Sequence, residues 1–294
     1  MAMKLRCRVV ARYGSEIDVL GPAGETRRAK LRRKLDDVVC GDRVTIDGNT
    51  AAVLDREPRR NQLSRRDGFN RLRTIAANID QVWIVIAPKP ETPRLLIDRF
   101  LVAIHNLPAI AGVVVNKTDL AGSDGGLLPA PDLSHYAQMA LPMLRVSAKT
   151  GVGLEAFRAA ATGGSNILVG PSGVGKSSLI QALLPGEQLR VGEVGSTGEG
   201  RHTTTTARWY ATGDGAAWID SPGVRDFSPE IQSVDQLTRG FPDLFEAAAD
   251  CRFRNCTHRK EPGCRVREAV EQGRLPSARL EAWRELLAGL TPGP

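Results

Sequence analysis

The run Gly170-Pro171-Ser172-Gly173-Val174-Gly175-Lys176-Ser177-Ser178 constrains the chain more than any other stretch. It follows the apolar segment Asn166 to Val169 and opens onto Leu179 to Leu184, whose apolar spacing is helical. The order is strand, glycine-rich loop, helix, and the pattern is G-x-x-x-x-G-K-[ST]. The amides of such a loop and the first turn of the helix converge on nucleotide phosphates. A lysine, here Lys176, neutralises the outer phosphates, and a hydroxyl, here Ser177, is placed for magnesium. Side chains in place of the glycines would hold the backbone away from the phosphates.

Two further stretches specify the base. Asn116-Lys117-Thr118-Asp119 leaves the strand-like Ala111 to Val115, the position where ligands meet the carboxyl ends of strands in open α/β sheets. The Asp119 carboxylate accepts from both the ring NH and the exocyclic amine of guanine, a donor pair that adenine lacks. Ser147-Ala148-Lys149 follows Leu144 to Val146 and would add a backbone NH to the guanine oxygen. Either stretch alone is an ordinary polar turn after a strand; beside a P-loop they imply GTP and GDP. Ordinary GTPases place the P-loop first. Here the base-reading pieces precede Gly170, so the core is circularly permuted.

Between the P-loop and the next strand, Gly195 to Ala207 contains Arg201-His202-Thr203-Thr204-Thr205-Thr206 with no periodic apolar side. A loop that senses magnesium and the γ-phosphate needs such hydroxyls, and among these threonines Thr205 is the candidate ligand. Ala216 to Ile219 leads into Asp220-Ser221-Pro222-Gly223, a D-x-x-G motif. Asp220 would hold magnesium through water, and the Gly223 amide would meet the γ-phosphate. The next residue is Val224, where many GTPases carry the glutamine that orients the attacking water. Intrinsic hydrolysis is therefore expected to be slow, with His202 or a partner positioning the water.

The 294 residues allow two or three domains, and a net charge of +7 favours a polyanionic partner. Residues 1–66 read as short strands with turn punctuation, a small β-barrel that is either OB-like or SH3-like. Two basic blocks, Arg27 to Lys34 and Arg56 to Arg66, accompany Tyr13 as the only aromatic there. That composition suits phosphate-backbone contact with folded RNA better than base stacking. Glu57 to Asn70 reads as a polar linker. Residues 67–235 alternate strand and helix, with Gln81 to Ala87 as a fully covered strand and helical spacing at Leu95 to His105 and Val152 to Ala161, the mark of a doubly wound α/β sheet. Residues 236–294 carry Cys251-x4-Cys256-x-His258-x5-Cys264 among arginines. Three thiolates and one imidazole form a closed tetrahedral zinc set, structural because no position is left for substrate. Clustering of three of the five cysteines points to metal in a reducing compartment. Cys7 and Cys40 read as small buried residues. No apolar run reaches membrane-spanning length and no signal-like core follows Met1, so a cytoplasmic chain without membrane contact is expected.

Taken together, P-loop, N-K-x-D, S-A-K and D-x-x-G in this order, with the Cys/His cluster, resemble the circularly permuted bacterial GTPases of small-ribosomal-subunit biogenesis, the RsgA (YjeQ/YloQ) family, over nearly the whole chain. The resemblance implies an N-terminal OB-fold, a central permuted GTPase domain and a mainly helical zinc-binding domain with one zinc per chain. It implies an R-H-T-T-T-like first switch at Arg201 to Thr205, the zinc ligand spacing seen here, and magnesium bound with GTP. It also implies a monomer that hydrolyses GTP on the small (30S) ribosomal subunit and its 16S rRNA, with turnover stimulated by that binding. The residues alone reach an RNA-binding GTP switch. The alternatives are a GTP-dependent regulator of a protein partner and, more weakly, a nucleotide kinase.

Overall fold

The computed structural model describes residues 3–67, 69–121, 126–129, 131–136, 138–184, 207–213, 215–221, 227, 229–254 and 256–290. The first five strands are β1 (Lys4–Tyr13), β2 (Glu16–Leu20), β3 (Thr26–Lys30), β4 (Arg43–Asp47) and β5 (Val53–Arg56). The barrel question left open by the sequence is decided by their pairing. β1 pairs with β4 through Lys4 to Arg8 and with β2 through Arg8 to Tyr13, a bulge between Val9 and Ala11 turning the strand from one partner to the other. β2 pairs with β3, β4 with β5, and a parallel bridge between Lys30 and Ala52 joins β3 to the entry of β5. The order β1-β2-β3-β5-β4-β1 closes an OB-type barrel. Alternation places Val9, Ile17, Val19, Ala29, Val44, Ile46 and Val53 inside it, with Cys7. Along β3 only Ala29 faces inward, so Arg27, Arg28 and Lys30 stand in solvent.

Glu57 to Asn70 is more ordered than a linker. Within it β6 (Gln62–Arg66) pairs antiparallel with β7 (Leu72–Ala77). The turn closes because one carboxylate oxygen of Asp67 accepts the amides of Phe69 (2.9 Å) and Arg71 (3.0 Å), while the other takes the Nε of Arg71 (3.2 Å) and Arg73 (3.1 Å). Arg65 and Arg66, part of the arginine content that suggested a linker, lie on the solvent side of the ribbon.

The central sheet follows: β8 (Gln81–Ile86), β9 (Ile110–Val115), β10 (Met143–Arg145), β11 (Gly164–Val169), β12 (Arg208–Ala211) and β13 (Ala216–Asp220). Its order is β10-β9-β8-β11-β13-β12, parallel except for the antiparallel β12. Helices α1 (Leu96–His105), α2 (Leu154–Ala160) and α3 (Lys176–Leu183) cover its faces. Two cores result, one around Ile84, Ile86, Phe100, Leu101 and Val113, the other around Trp83, Phe157, Leu168, Ile180 and Trp218. In the second, the buried Trp83 Nε1 donates to Asn166 Oδ1 (2.9 Å), and Asn166 Nδ2 donates to Ala161 O (2.9 Å), so two polar groups inside an apolar layer satisfy each other.

The barrel is joined to this sheet by backbone. β12 pairs antiparallel with β1 at Ala11 and Arg208, which makes one continuous sheet of barrel and core. Polar latches reinforce the seam. Arg59 grips the fully buried Asp42 with Nε and Nη2, both at 2.8 Å; Asn61 exchanges bonds with the backbone of Ile79; and Asn78 Nδ2 donates to Gly41 O (3.0 Å).

Among the described residues, four more helices follow: α4 (Val234–Arg239), α5 (Pro242–Ala248), α6 (Arg265–Glu271) and α7 (Ser277–Ala288). They dock on α1. Gly240, after α4, lies so close to α1 that a Cβ there would meet Val102 Cα at 2.5 Å. Asn106 donates to Gln236 O (2.9 Å) and accepts from Arg239 Nε (3.0 Å). The fully buried Arg279 donates to Asp98 of α1 (2.5 Å) and, through Nε (2.9 Å) and Nη2 (3.0 Å), to both oxygens of Asp243. Tyr136 OH donates to the other oxygen of Asp98 (2.9 Å). Burial and the Asp98 charge push the Tyr136 phenol far up, so it remains a donor. Among the described residues, no helix is long and apolar enough to cross a membrane.

Candidate nucleotide and metal sites

All four nucleotide motifs leave the carboxyl ends of parallel strands: N-K-x-D from β9, S-A-K from β10, the P-loop from β11 and D-x-x-G from β13. In the permuted chain these strands assemble in a spatial order that sequence order does not follow.

Asn116, buried, is the residue that joins three motifs. Its Nδ2 donates to Val174 O of the P-loop (2.9 Å), and its Oδ1 accepts the amide of Ala148 (3.1 Å). Lys117, in the left-handed region at φ 60°, lays its amine on Gly173 O (2.5 Å) and Lys89 O (3.2 Å), covering the loop from the base side. Thr118 donates its hydroxyl to Val146 O (3.0 Å). Ser147, fully buried, donates to Asp119 Oδ1 (2.6 Å) and accepts the Thr150 amide (3.0 Å). That hydroxyl, assisted by Lys149 and Lys117, holds the Asp119 carboxyl below the usual carboxylate range. A half-exposed, ionised carboxylate beside an amide donor is the hydrogen-bonding complement of guanine.

The P-loop glycines answer to contacts. Gly170 has φ 139°, and a Cβ there would lie 2.2 Å from Val85 O; Gly175 has φ 93°, and a Cβ would lie 2.5 Å from Asn116 Nδ2. Val174 is buried as the loop's apolar anchor while Ser172 and Gly173 are exposed. Lys176 opens α3, with its amine on Gly170 O (2.6 Å) and Pro171 O (2.8 Å); Ser177 and Ser178 follow in the first turn. The register Ile167 to Ile219 between β11 and β13 sets Asp220 and the buried Ser221 beside the start of the P-loop. A hydroxyl and a carboxylate there are the hard oxygen donors that magnesium takes. His202, Thr205 and Gly223 lie outside the described residues.

The second site is built on the C-terminal helices. Sγ of Cys251, Cys256 and Cys264 and a ring nitrogen of His258 lie within 4.8 Å of one another. His258 Nδ1 is 3.5 Å from Cys264 Sγ and 3.8 Å from Cys251 Sγ. Bond lengths of about 2.3 Å to sulfur and about 2.1 Å to nitrogen on a tetrahedron put its edges at roughly 3.6–3.8 Å, so the donors fit one such ion. Burial, with the neighbouring thiols Cys264 and Cys251, pushes the Cys256 thiol up to about 12. Three thiolates this close repel unless a cation sits between them, and a dication reverses the sign. Cys264 caps α6, its sulfur accepting the Arg267 amide (3.5 Å). Burial holds His258 below its usual basicity, in the neutral form that ligates; its ring rests on Trp283 (centroids 5.3 Å), and its carbonyl accepts from Arg284.

Glu261 is a residue the sequence reading missed. Its two oxygens take the Thr257 amide and hydroxyl (2.7 and 2.5 Å) and the amides of Arg259 and Lys260 (2.9 and 3.0 Å), which ties down the loop around His258. The Thr257 hydroxyl and these amides hold its carboxyl far below the carboxylate range. The signal available was a lone acid between His258 and Cys264 in an otherwise basic loop.

Against known proteins, residues 56–230 match the RsgA GTPase family. The small ribosomal subunit biogenesis GTPase RsgA of Pseudomonas aeruginosa is 38% identical over 287 residues, covering 96% of this chain and 85% of the relative. The chain belongs to the RsgA GTPase family. The RsgA of Azotobacter vinelandii is 39% identical over 290 residues, covering 96% of this chain and 84% of the relative. Crystallised YjeQ from Thermotoga maritima superposes with a TM-score of 0.77 at 30% identity, over 98% of this chain and 99% of that one. YloQ, described as a circularly permuted GTPase, superposes at 0.74 and 21% identity over 99% and 98%, a likeness of fold. The RsgA resemblance drawn from motif order thus holds along the whole chain.

Proposed function

We infer that this RsgA-family chain is a GTP hydrolase that acts in biogenesis of the small ribosomal subunit. The single observation that carries the nucleotide reading is the Asn116 carboxamide, which ties the P-loop at Val174 to the base-reading backbone at Ala148. The named relatives of matching length carry the ribosomal reading.

In this reading the P-loop from Gly170 to Ser178 wraps the phosphates and Lys176 neutralises them. Ser177, Thr205 and Asp220 surround the magnesium, Asp119 and Ala148 select guanine, the Gly223 amide meets the γ-phosphate, and His202 directs the water. Residues 1–66, 67–235 and 236–294 act as barrel, motor and metal domain. Zinc is the ion of the Cys251, Cys256, His258 and Cys264 set, because a closed set of three thiolates and one imidazole suits it. The partner surface is 16S rRNA, met by a cytoplasmic monomer. The β6–β7 ribbon supports RNA contact, since Arg65, Arg66, Arg71 and Arg73 are exposed around Phe69, which is 80% exposed at the turn.

The test is GTP turnover by the purified chain with and without small subunits. Stimulation that declines as salt rises supports RNA-mediated docking. Hydrolysis without stimulation defeats the ribosomal reading, and equal affinity for GDP and ADP defeats the nucleotide reading itself.

A further inference from the structure

The first three P-loop residues, not those that Asn116 holds, line a cavity of 410 Å³. Gly170, Pro171 and Ser172 supply one wall, Arg99 and Phe100 of α1 another, and Phe227 a third. The cavity's place along a bound nucleotide follows from the fold. Asp119 and Ala148 fix the base end, whereas β13 delivers Asp220 beside Gly170, and Phe227 lies seven residues beyond Asp220. The Gly170-to-Ser172 wall therefore belongs to the terminal-phosphate end.

Arg99 is the unusual member of this lining. It is exposed and, among the described residues, makes no ion pair and no side-chain hydrogen bond. Arg94, on the same cavity, is already paired with Glu285 at 2.8 Å. The residues on either side of Arg99 are anchored: Asp98 by Arg279 and Tyr136, and Phe100 by its ring contact with Phe227 (centroids 6.1 Å). An arginine with an uncommitted guanidinium thus sits on a fixed helix turn, facing the terminal-phosphate end of the P-loop. Val224 removes the usual glutamine from this chain, so stabilisation of the transition state must come from other groups.

We propose that Arg99 is the cis-acting cation of the hydrolytic step. The inference rests on the GTPase reading above. As the water oxygen bonds to the γ-phosphorus, the bond to the β–γ bridging oxygen breaks. Its electron pair stays on GDP, and the water proton ends on inorganic phosphate. Negative charge grows on the bridging oxygen and redistributes over the γ-oxygens. A planar guanidinium fork meets two such oxygens at once, which an ammonium does not.

The experiment compares Arg99→Ala and Arg99→Lys with the wild-type full chain. It measures single-turnover GTP hydrolysis at enzyme excess, fluorescent-GDP affinity, trapping of the GDP–aluminium fluoride complex, and melting temperature. The expected result for Arg99→Ala is a rate lower by on the order of 100-fold and no trapped complex, with GDP affinity and melting temperature unchanged. Arg99→Lys recovers part of the rate. A wild-type rate in Arg99→Ala overturns the proposal. So does a parallel loss of rate, affinity and melting temperature, which marks a packing role. Failure of the wild type to hydrolyse GTP refutes the parent reading instead.

Discussion

Replacing Arg279 with alanine tests whether the C-terminal helices are fastened to the GTPase core by charge. Three hydrogen bonds vanish, two to Asp243 and one to Asp98. Burial opposes the Arg279 charge, yet the bonds and charges of Asp243 and Asp98 outweigh it and hold the group above its ordinary basicity. The two carboxylates then fare differently. The Asp243 side chain is 24% exposed and regains water, whereas Asp98 at 4% is left with Tyr136 alone. Stranding one buried charge costs about 3–5 kcal/mol. The expected loss is therefore about 4 kcal/mol, most of it from Asp98. Urea denaturation followed by tryptophan fluorescence reads it, since Trp283 lies one helical turn from Arg279 on α7. Adding Asp98→Asn to Arg279→Ala removes the stranded charge and should restore part of the stability. A loss under about 1 kcal/mol, or a double variant whose losses simply add, refutes the reasoning. His105 supplies a second readout. Burial, then the nearby Arg279, lowers its basicity, so the stability it contributes is complete above the unfolded value of 6.5 and is lost as pH falls below it. Without Arg279 that acid sensitivity shrinks.

Asp119→Asn replaces an acceptor pair with one donor and one acceptor, so GTP affinity should fall on the order of 100-fold while xanthosine triphosphate, whose 2-oxo group accepts, gains; competition binding reads both. Cys256→Ser should lower the bound metal per chain and raise amide exchange from Cys251 to Glu271, with guanine-nucleotide affinity retained because the two sites share no residue; equal metal content in both proteins counts against the four-ligand site. Asp67 is held at about 2, first by the Arg71 amide and then by Arg73, so the β6–β7 turn should be tight above the ordinary value of 3.8 and loosen as pH falls through 2, read as amide exchange at Phe69 and Arg71.

The parts of the site that were legible in the sequence are those where chemistry dictates identity. A phosphate cradle needs glycines at Gly170 and Gly175, guanine needs a carboxylate at Asp119, and a metal needs thiols in a cluster; each leaves a local pattern. What stayed hidden is long-range. Asp98 and Arg279 are 181 residues apart, and a lone charged pair over that span has no periodicity to betray it. The Ala11 to Arg208 pairing is equally silent, because β12 is a short, half-exposed strand. Barrel class was unreadable for the same reason: it turns on the Lys30 to Ala52 bridge, a tertiary contact. The β6–β7 ribbon misled because its outward face is arginine, and composition without the pairing partner looks like a tether.

The ladder between β1 and β12 makes the barrel an extension of the catalytic sheet, not a passenger on a string. Any torque applied to the barrel arrives at β12, then at β13 and Asp220, one hydrogen-bonded rung at a time. In this architecture the barrel and the strand that carries Asp220 are cut from one piece of cloth.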